Sequence, residues 1–408
     1  MNSSNITPIH IIESPAIPVH RQRLEVVERK GKGHPDTICD AVAEQVSTEL
    51  SRAYRNTFGR ILHYNIDKCL LVAGQVECRL GGGIVKEPMR LILGDRASWG
   101  IGRKTIPVAD LAIEAGRRWF TENLPHLDPV KHIRFQIELK PASAELGAIF
   151  DRKRGPLPSN DTSAAVGYAP LTPTERLVLA VEHYLNGPEF KREFPDTGED
   201  VKVMAVRVDD ELSLTIAMPF LAKAIPTERV YFRRKAEVQT VLDKFVQAQP
   251  HGCRTVHLFL NALDRKKKGV EGMYLTLLGT SAEQGDSGQV GRGNRACGLI
   301  ALNRPMSGEA AAGKNPVSHV GKIYNVLAHE LANHIYEEVP GIEEITVWFN
   351  SLIGRPVDRP LVVAAQVAMK KGQRLQGVQK EIEALIRERL ARIPAFCREL
   401  AAGRYTTF

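Results

Sequence analysis

The chain has 408 residues, 43% hydrophobic and 25% charged, enough for about 2–3 domains of ~150 residues, and its composition excludes a disordered, collagen-like or coiled-coil protein. Fifty-five Lys and Arg against 47 Asp and Glu leave a net charge of +8, a balance suited to nucleic acid, a membrane surface or a polyanionic small molecule. The six cysteines are scattered with no C-x-x-C pair. That excludes a disulfide framework and a clustered zinc site, and the expected setting is the cytoplasm with reduced thiols. No apolar run approaches the ~18 residues of a membrane span, and the N-terminus lacks a secretory pattern.

Residues 1–22, rich in Ser, Pro, Asn and His, read as a flexible extension. A helix is predicted from Pro35 to Tyr54, with Ile38, Val42, Val46 and Leu50 on one face and Gly59 beyond its end. Leu70–Leu80 and Met89–Leu93 are strand-like, and His132–Lys140 alternates apolar and polar residues as a half-buried strand does. Residues 151–160 form a polar connector. Thr172-Pro173-Thr174-Glu175 is a capping box opening a helix that stops at Gly187-Pro188. Strands are expected at Val201–Val208, Glu211–Met218, Thr255–Leu260 and Met273–Leu278, with a helix over 229–247. After a glycine-rich stretch come a helix from His319 to Glu337 capped by Ser318, a strand at Ile345–Phe349 and a last helix over 374–394. The alternation favours α+β layers over a doubly wound parallel sheet.

Two segments carry chemistry. In Glu28-Arg29-Lys30-Gly31-Lys32-Gly33-His34-Pro35-Asp36 the glycines permit a tight turn close to a ligand, delivering a His and an Asp to a helix N-terminus. Such a pair suits phosphate chemistry, the His donating to an oxyanion and the Asp holding Mg²⁺; a plain helix start is the alternative. Residues 279–322 set Asp286, Arg292, Arg295, Arg304 and Lys314 among glycines, as a polyphosphate with a divalent cation requires, though the segment is neither a Walker A nor a Rossmann fingerprint. A long solvated loop is the alternative here. Asp67-Lys68, Asn160-Asp161 and Asp200-x-Lys202 read alone as surface charges or turns, and Arg265–Lys268 as a solvated turn, since aromatics for nucleic-acid stacking are scarce.

Taken together, ERKGKGHPDTICD (28–40), HYNIDKCLLVAGQ (63–75), GGGIVKEP (81–88), NDTSAAVGYAPLTPTERLVL (160–179), EDVKVM (199–204) and the 279–325 block ending GKNPVSHVGKIYN resemble the S-adenosylmethionine synthetase family, in its archaeal-type branch. The resemblance implies an α+β fold of three similar subdomains in pseudo-threefold arrangement, here expected at 23–155, 156–275 and 276–408. It implies ATP and L-methionine as substrates and a homodimer whose site is shared between subunits, with neither nucleic acid nor membrane as partner. By position, His34, Lys202, Arg292 and Lys314 take catalytic roles, and Asp36 and Asp286 hold Mg²⁺. Asp161, Asp200, Asp67, Lys68, Arg295 and Ser143, the last in a substrate loop from Pro141 to Leu146, bind substrate. Thr37 stands where the bacterial branch has Lys. Lys68 stands near that branch's potassium site, where either K⁺ or the Lys68 ammonium is expected. Ser287 and Gly308 depart from the archaeal-type pattern, and the role of His319 stays open. A non-catalytic nucleotide- or RNA-binding protein and a transferase with another amino-acid substrate are the alternative readings.

Overall fold

Pro35–Phe58 is the longest helix, and its residues dictate both ends. Proline opens it without wasting an amide, and Gly59 at φ 73° closes it in the left-handed conformation that glycine adopts at least cost. Ile38, Val42, Val46, Leu50 and Tyr54 recur at helical spacing and are fully buried. This computed structural model describes residues 7–141, 150 and 155–408, so Ser143 and most of the expected substrate loop lie outside the described residues.

The architecture is α+β: three sheets of four or five strands, each packed with helices over its own buried core, accompanied by three two-stranded ribbons among the described residues. The first sheet runs 288–289, 64–72, 89–97, 133–140. It packs against Pro35–Phe58 and Val108–Asn123. The helix Val108–Asn123 goes beyond the sequence expectation, although its buried Val108, Ala112, Ala115, Trp119 and Phe120 fall at helical spacing. The second sheet runs 255–260, 211–217, 202–208, 24–30, 300–301 beneath Pro173–Leu185 and Glu228–Gln247. The capping box that starts Pro173–Leu185 is complete in both directions. The third runs 9–13, 362–369, 342–350, 164–169 beneath Val320–Glu338 and the two C-terminal helices.

The sheets do not follow contiguous thirds of the sequence. Leu24–Lys30 pairs antiparallel with Lys202–Val208, Gly288–Gln289 pairs with Leu70–Leu71, and Ala164–Ala169 pairs with Ile345–Asn350. Residues 9–13, within the expected flexible extension, instead form an edge strand parallel to 363–367; Ile11 is buried in that sheet's core, which holds the segment down. Three further expectations are corrected. Leu70–Leu80 breaks into Tyr64–Val72 and Gln75–Arg79. The last helix divides at Arg392 into Gln379–Ala391 and Ile393–Ala401, with Pro394 in the first turn of the second. The cap of Val320–Glu338 is His319, whose side chain accepts the Gly321 amide, and not Ser318. No helix among the described residues is long and apolar enough to cross a membrane.

Candidate active site

The strand Leu24–Lys30 runs straight into the helix at Pro35 through Gly31–His34. Neither glycine of this turn has a positive φ; what each provides is space. A Cβ on Gly33 would lie 2.4 Å from the Asp200 amide nitrogen, and one on Gly31 2.6 Å from the Val201 carbonyl oxygen. The glycines therefore let the 199–201 chain dock on the turn. Gly33 N donates to Glu199 O (3.1 Å) and Gly31 N to Val201 O (2.6 Å). This docking brings Asp200 beside His34.

His34 is buried and caps the helix, its Nδ1 accepting the Asp36 amide at 3.2 Å. Burial pulls its pKa down to about 4, and the Lys30 and Lys202 ammoniums add to the effect against the opposing pull of Asp36. The ring is neutral at pH 7, and with Nδ1 accepting, its proton sits on Nε2. Asp36 is held at both oxygens: Oδ2 takes Lys30 Nζ at 2.8 Å and Oδ1 the Gln289 amide at 2.9 Å. Asp200 is buried, and its Oδ2 accepts from the amide (2.7 Å) and the hydroxyl (2.5 Å) of Ser281. Burial raises its pKa to about 6 and the nearby Asp286 charge pushes the same way. Lys202 pairs with Glu28 at 3.1 Å.

The glycine-rich segment is ordered by groups the sequence did not single out. Asp40, one helical turn after Asp36 and so on the same face, accepts the Gly291 amide at 2.9 Å. Lys30 Nζ donates to Arg292 O at 2.8 Å, and Asn294 exchanges two hydrogen bonds with the Lys30 backbone (3.0 and 2.9 Å). Arg295 donates Nη2 to the carbonyls of Gly291 and Gly293 (2.5 and 2.9 Å), so it braces the loop. Arg292 is fixed by its backbone while its side chain is exposed, as is Asp286. Ser287 caps the amide of Ala73 at 3.1 Å, and Gly308 has open space around its Cα. Arg304 is committed to Glu175 and Glu344 in the interior.

A second cluster gathers further along the same helix. Lys314 is buried between Asp67 (Nζ to Oδ2, 3.1 Å) and Glu309. Its carbonyl accepts from Ser47 (3.1 Å), which lies about 16 Å along the helix from Asp36 at 1.5 Å per residue. A bulge between Asn65 and Lys68 re-aims this stretch of strand. Asp67 thus turns inward, while the exposed Lys68 lies 2.5 Å from Asp67 Oδ1 and 3.9 Å from Asp95 Oδ2. Burial opposes the charge of Asp67, but the Lys314 and Lys68 ammoniums outweigh it and hold the carboxyl down at about 2. His319 sits beside this group; burial, reinforced by Lys314, brings its pKa down to about 3. Asp161 is anchored through its backbone: its neighbour Asn160 donates its amide to Ser318 O (3.2 Å) and its own carbonyl accepts from the Ser351 hydroxyl (2.8 Å).

Within one chain, then, His34, Asp36, Asp200, Lys202, Asp286, Arg292 and Arg295 meet at the junction of the turn and the glycine-rich loop. Asp67, Lys68 and Lys314 group together with Glu309 further along the helix, and Asp161 lies near Ser318 and Ser351. Lys30, Asp40, Ser281, Asn294 and Glu309 were not anticipated as site residues. Lys30 lies in a segment read for its glycines, and for Glu309 no sequence signal exists.

Comparison with known proteins bears on this arrangement. The family model described as S-adenosylmethionine synthetase (AdoMet synthetase) matches residues 7–404. The probable S-adenosylmethionine synthase of Aquifex aeolicus is 44% identical over 380 residues, covering 92% of this chain and 94% of that one. The S-adenosylmethionine synthase of Aeropyrum pernix is 43% identical over 405 residues, 98% and 99% of the two chains. The solved structure of an unusual S-adenosylmethionine synthetase from Campylobacter jejuni shares the fold at a TM-score of 0.61 and 13% identity, covering 93% and 94%. A match that runs through both charged clusters and nearly end to end settles the affiliation: this chain belongs to the S-adenosylmethionine synthetase family.

Proposed function

We propose that the chain makes S-adenosylmethionine from ATP and L-methionine, the sulfur displacing tripolyphosphate from ribose C5′, and that the same site then hydrolyses tripolyphosphate to phosphate and pyrophosphate. The observation that carries the reading is the meeting of neutral His34 with Lys30, Lys202, Arg292 and the carboxylates Asp36, Asp200 and Asp286 at one junction. Breaking the C5′–O bond puts new negative charge on a polyanion, and donors fixed in advance stabilise it without reorganising. His34 supplies an Nε2–H to the departing oxygen. Arg292, held by its backbone with a free guanidinium, serves the phosphates and the hydrolytic step. Asp200 and Lys202 bind at the adenosine and phosphate side.

The donor set fits Mg²⁺. Asp36 and Asp286 offer hard carboxylate oxygens, and no group of three or more His, Cys, Asp or Glu converges as a complete cage among the described residues. That suits an ion held by one or two carboxylates plus substrate phosphates. Bound there, Mg²⁺ would neutralise phosphate charge. The Lys68 ammonium, lying between Asp67 and Asp95, takes the place of a monovalent cation.

A second copy of the chain completes the site, bringing the Lys314–Asp67–Asp161 group of one subunit to the His34 junction of the other. In support, no hydrogen bond or ion pair among the described residues joins Lys314 or Asp67 to His34, Asp36 or Asp200, and Leu70, Val72, Val208 and Phe259 are exposed on strands of the first two sheets. The enzyme works in the cytoplasm. Incubation with ATP, Mg²⁺ and L-methionine tests the reading: S-adenosylmethionine and phosphate are the expected products, and no product above a His34→Ala control overturns it.

A further inference from the structure

Lys30 is the cation of this junction to which the reaction described above gives no role of its own. Its ammonium makes two contacts of equal length, 2.8 Å to Asp36 Oδ2 and 2.8 Å to Arg292 O. It thereby joins the start of the helix Pro35–Phe58 to the glycine-rich loop. The side chains of Lys30 and Asp36 are only 12% and 8% exposed, so water screens the pair little. The backbone beneath is equally constrained: Asn294 bonds both the amide and the carbonyl of Lys30, and the Thr37 hydroxyl donates to the same carbonyl at 3.0 Å. An ammonium so anchored is part of the site rather than a surface charge that happens to fall nearby.

We infer that Lys30 is a positioning residue that occupies Asp36 before the divalent cation arrives and competes with it there, so that the phosphate site stays assembled without its metal. A carboxylate buried with no cation beside it would be costly, and Lys30 removes that cost in the free enzyme. When the metal takes Asp36, the ammonium keeps the Arg292 carbonyl as a partner and is released toward a phosphate oxygen. Lys30 therefore acts on the reaction in two opposed ways, weakening metal binding to the free enzyme and adding positive charge to the loaded site. The inference rests on the assignment of Asp36 to the metal.

The two effects separate in one experiment. Mn²⁺ alone, with no nucleotide, is titrated into the full chain and followed by electron paramagnetic resonance, for wild type, Lys30→Met, Lys30→Gln and Lys30→Arg. Removing the charge is expected to tighten Mn²⁺ binding on the order of tenfold, the worth of a charge-assisted hydrogen bond. S-adenosylmethionine formation at saturating Mg²⁺ falls in the same variants, and Lys30→Arg restores both values toward wild type. A merely structural lysine would weaken both. The inference is overturned if neither uncharged variant tightens Mn²⁺ binding, or if both lose the fold and Lys30→Arg binds Mn²⁺ as wild type does while activity stays lost. Failure of the wild type to bind Mn²⁺ both alone and in the presence of inorganic tripolyphosphate would overturn the metal assignment instead.

Discussion

Gly33→Ala is the sharpest perturbation the site offers, because the glycine's role can be worked out in ångströms. The added methyl would sit 2.4 Å from both the Asp200 nitrogen and the Glu199 carbonyl carbon, where ordinary contact is 3.4–4 Å. Both neighbours are backbone, so no side chain can swing away, and the 199–201 chain must retreat by about 1 Å. Such overpacking costs about 1–3 kcal/mol. The retreat also stretches Gly33 N to Glu199 O (3.1 Å) and Gly31 N to Val201 O (2.6 Å), while the hydroxyl bond from Thr280 to Gly33 O (2.7 Å) loses its alignment. At about 1 kcal/mol each for those that break, the expected destabilisation is about 3–5 kcal/mol. Urea unfolding followed by tryptophan fluorescence measures it without substrate, with Gly308→Ala, which meets nothing within 4 Å, as the control. Asp200 moves with the chain, so kcat/KM falls as well. A variant as stable as wild type that raises only the KM for ATP would refute the packing argument and return Gly33 to a ligand-approach role.

Two further outcomes are expected. Lys68→Met removes the ammonium lying 2.5 Å from Asp67 Oδ1. Wild-type activity is therefore expected to be the same in KCl and in choline chloride, whereas the variant loses activity that K⁺ restores; severalfold activation of the wild type by K⁺ would refute this. His329 is buried edge-on against Tyr168 with ring centroids 5.0 Å apart. Burial, with Arg304 adding to it, brings its pKa down to about 4. A histidine whose folded pKa is lowered stabilises fully above its unfolded value of ~6.5 and loses that contribution as pH falls toward 4. The stability advantage of wild type over His329→Asn should shrink by up to about 1.4 kcal/mol per pH unit across that window, and a difference independent of pH would contradict the burial argument.

What could be read in the sequence follows from the range of the interactions involved. The helix at Pro35 and the capping box at Thr172 are set by residues within one or two turns, so proline position, apolar spacing and the Thr–Glu pair were enough to place them. His34 and Asp36 were legible for the same reason. Gly31 and Gly33 were legible as necessary but not in what they do, because the atoms they make room for belong to residues 199–201. Lys30 and Asp40 were missed although they lie inside a recognised segment; their partners at 289–294 are some 250 residues distant in sequence. Arg295 has the residue type of a phosphate ligand, and only the carbonyls of Gly291 and Gly293 in three dimensions show that it also braces the loop. His319 displaced Ser318 as a cap because its Nδ1 reaches the Gly321 amide, a choice of rotamer that composition does not encode.

The way the sheets interleave the chain has a consequence for biosynthesis. Leu24–Lys30 leaves the ribosome well before its neighbours 202–208 and 300–301, which lie about half and three quarters of the way along these 408 residues, and Ile9–Glu13 waits for 363–367. These early strands remain unpaired until those distant partners have been made, and their closure carries the entropy of long loops. Pairings this distant in sequence are expected to slow folding, and strand edges that wait for their partners are the kind chaperones protect. The turn that carries His34 lies at the end of one of these waiting strands, so the catalytic junction is among the last parts of the molecule to form.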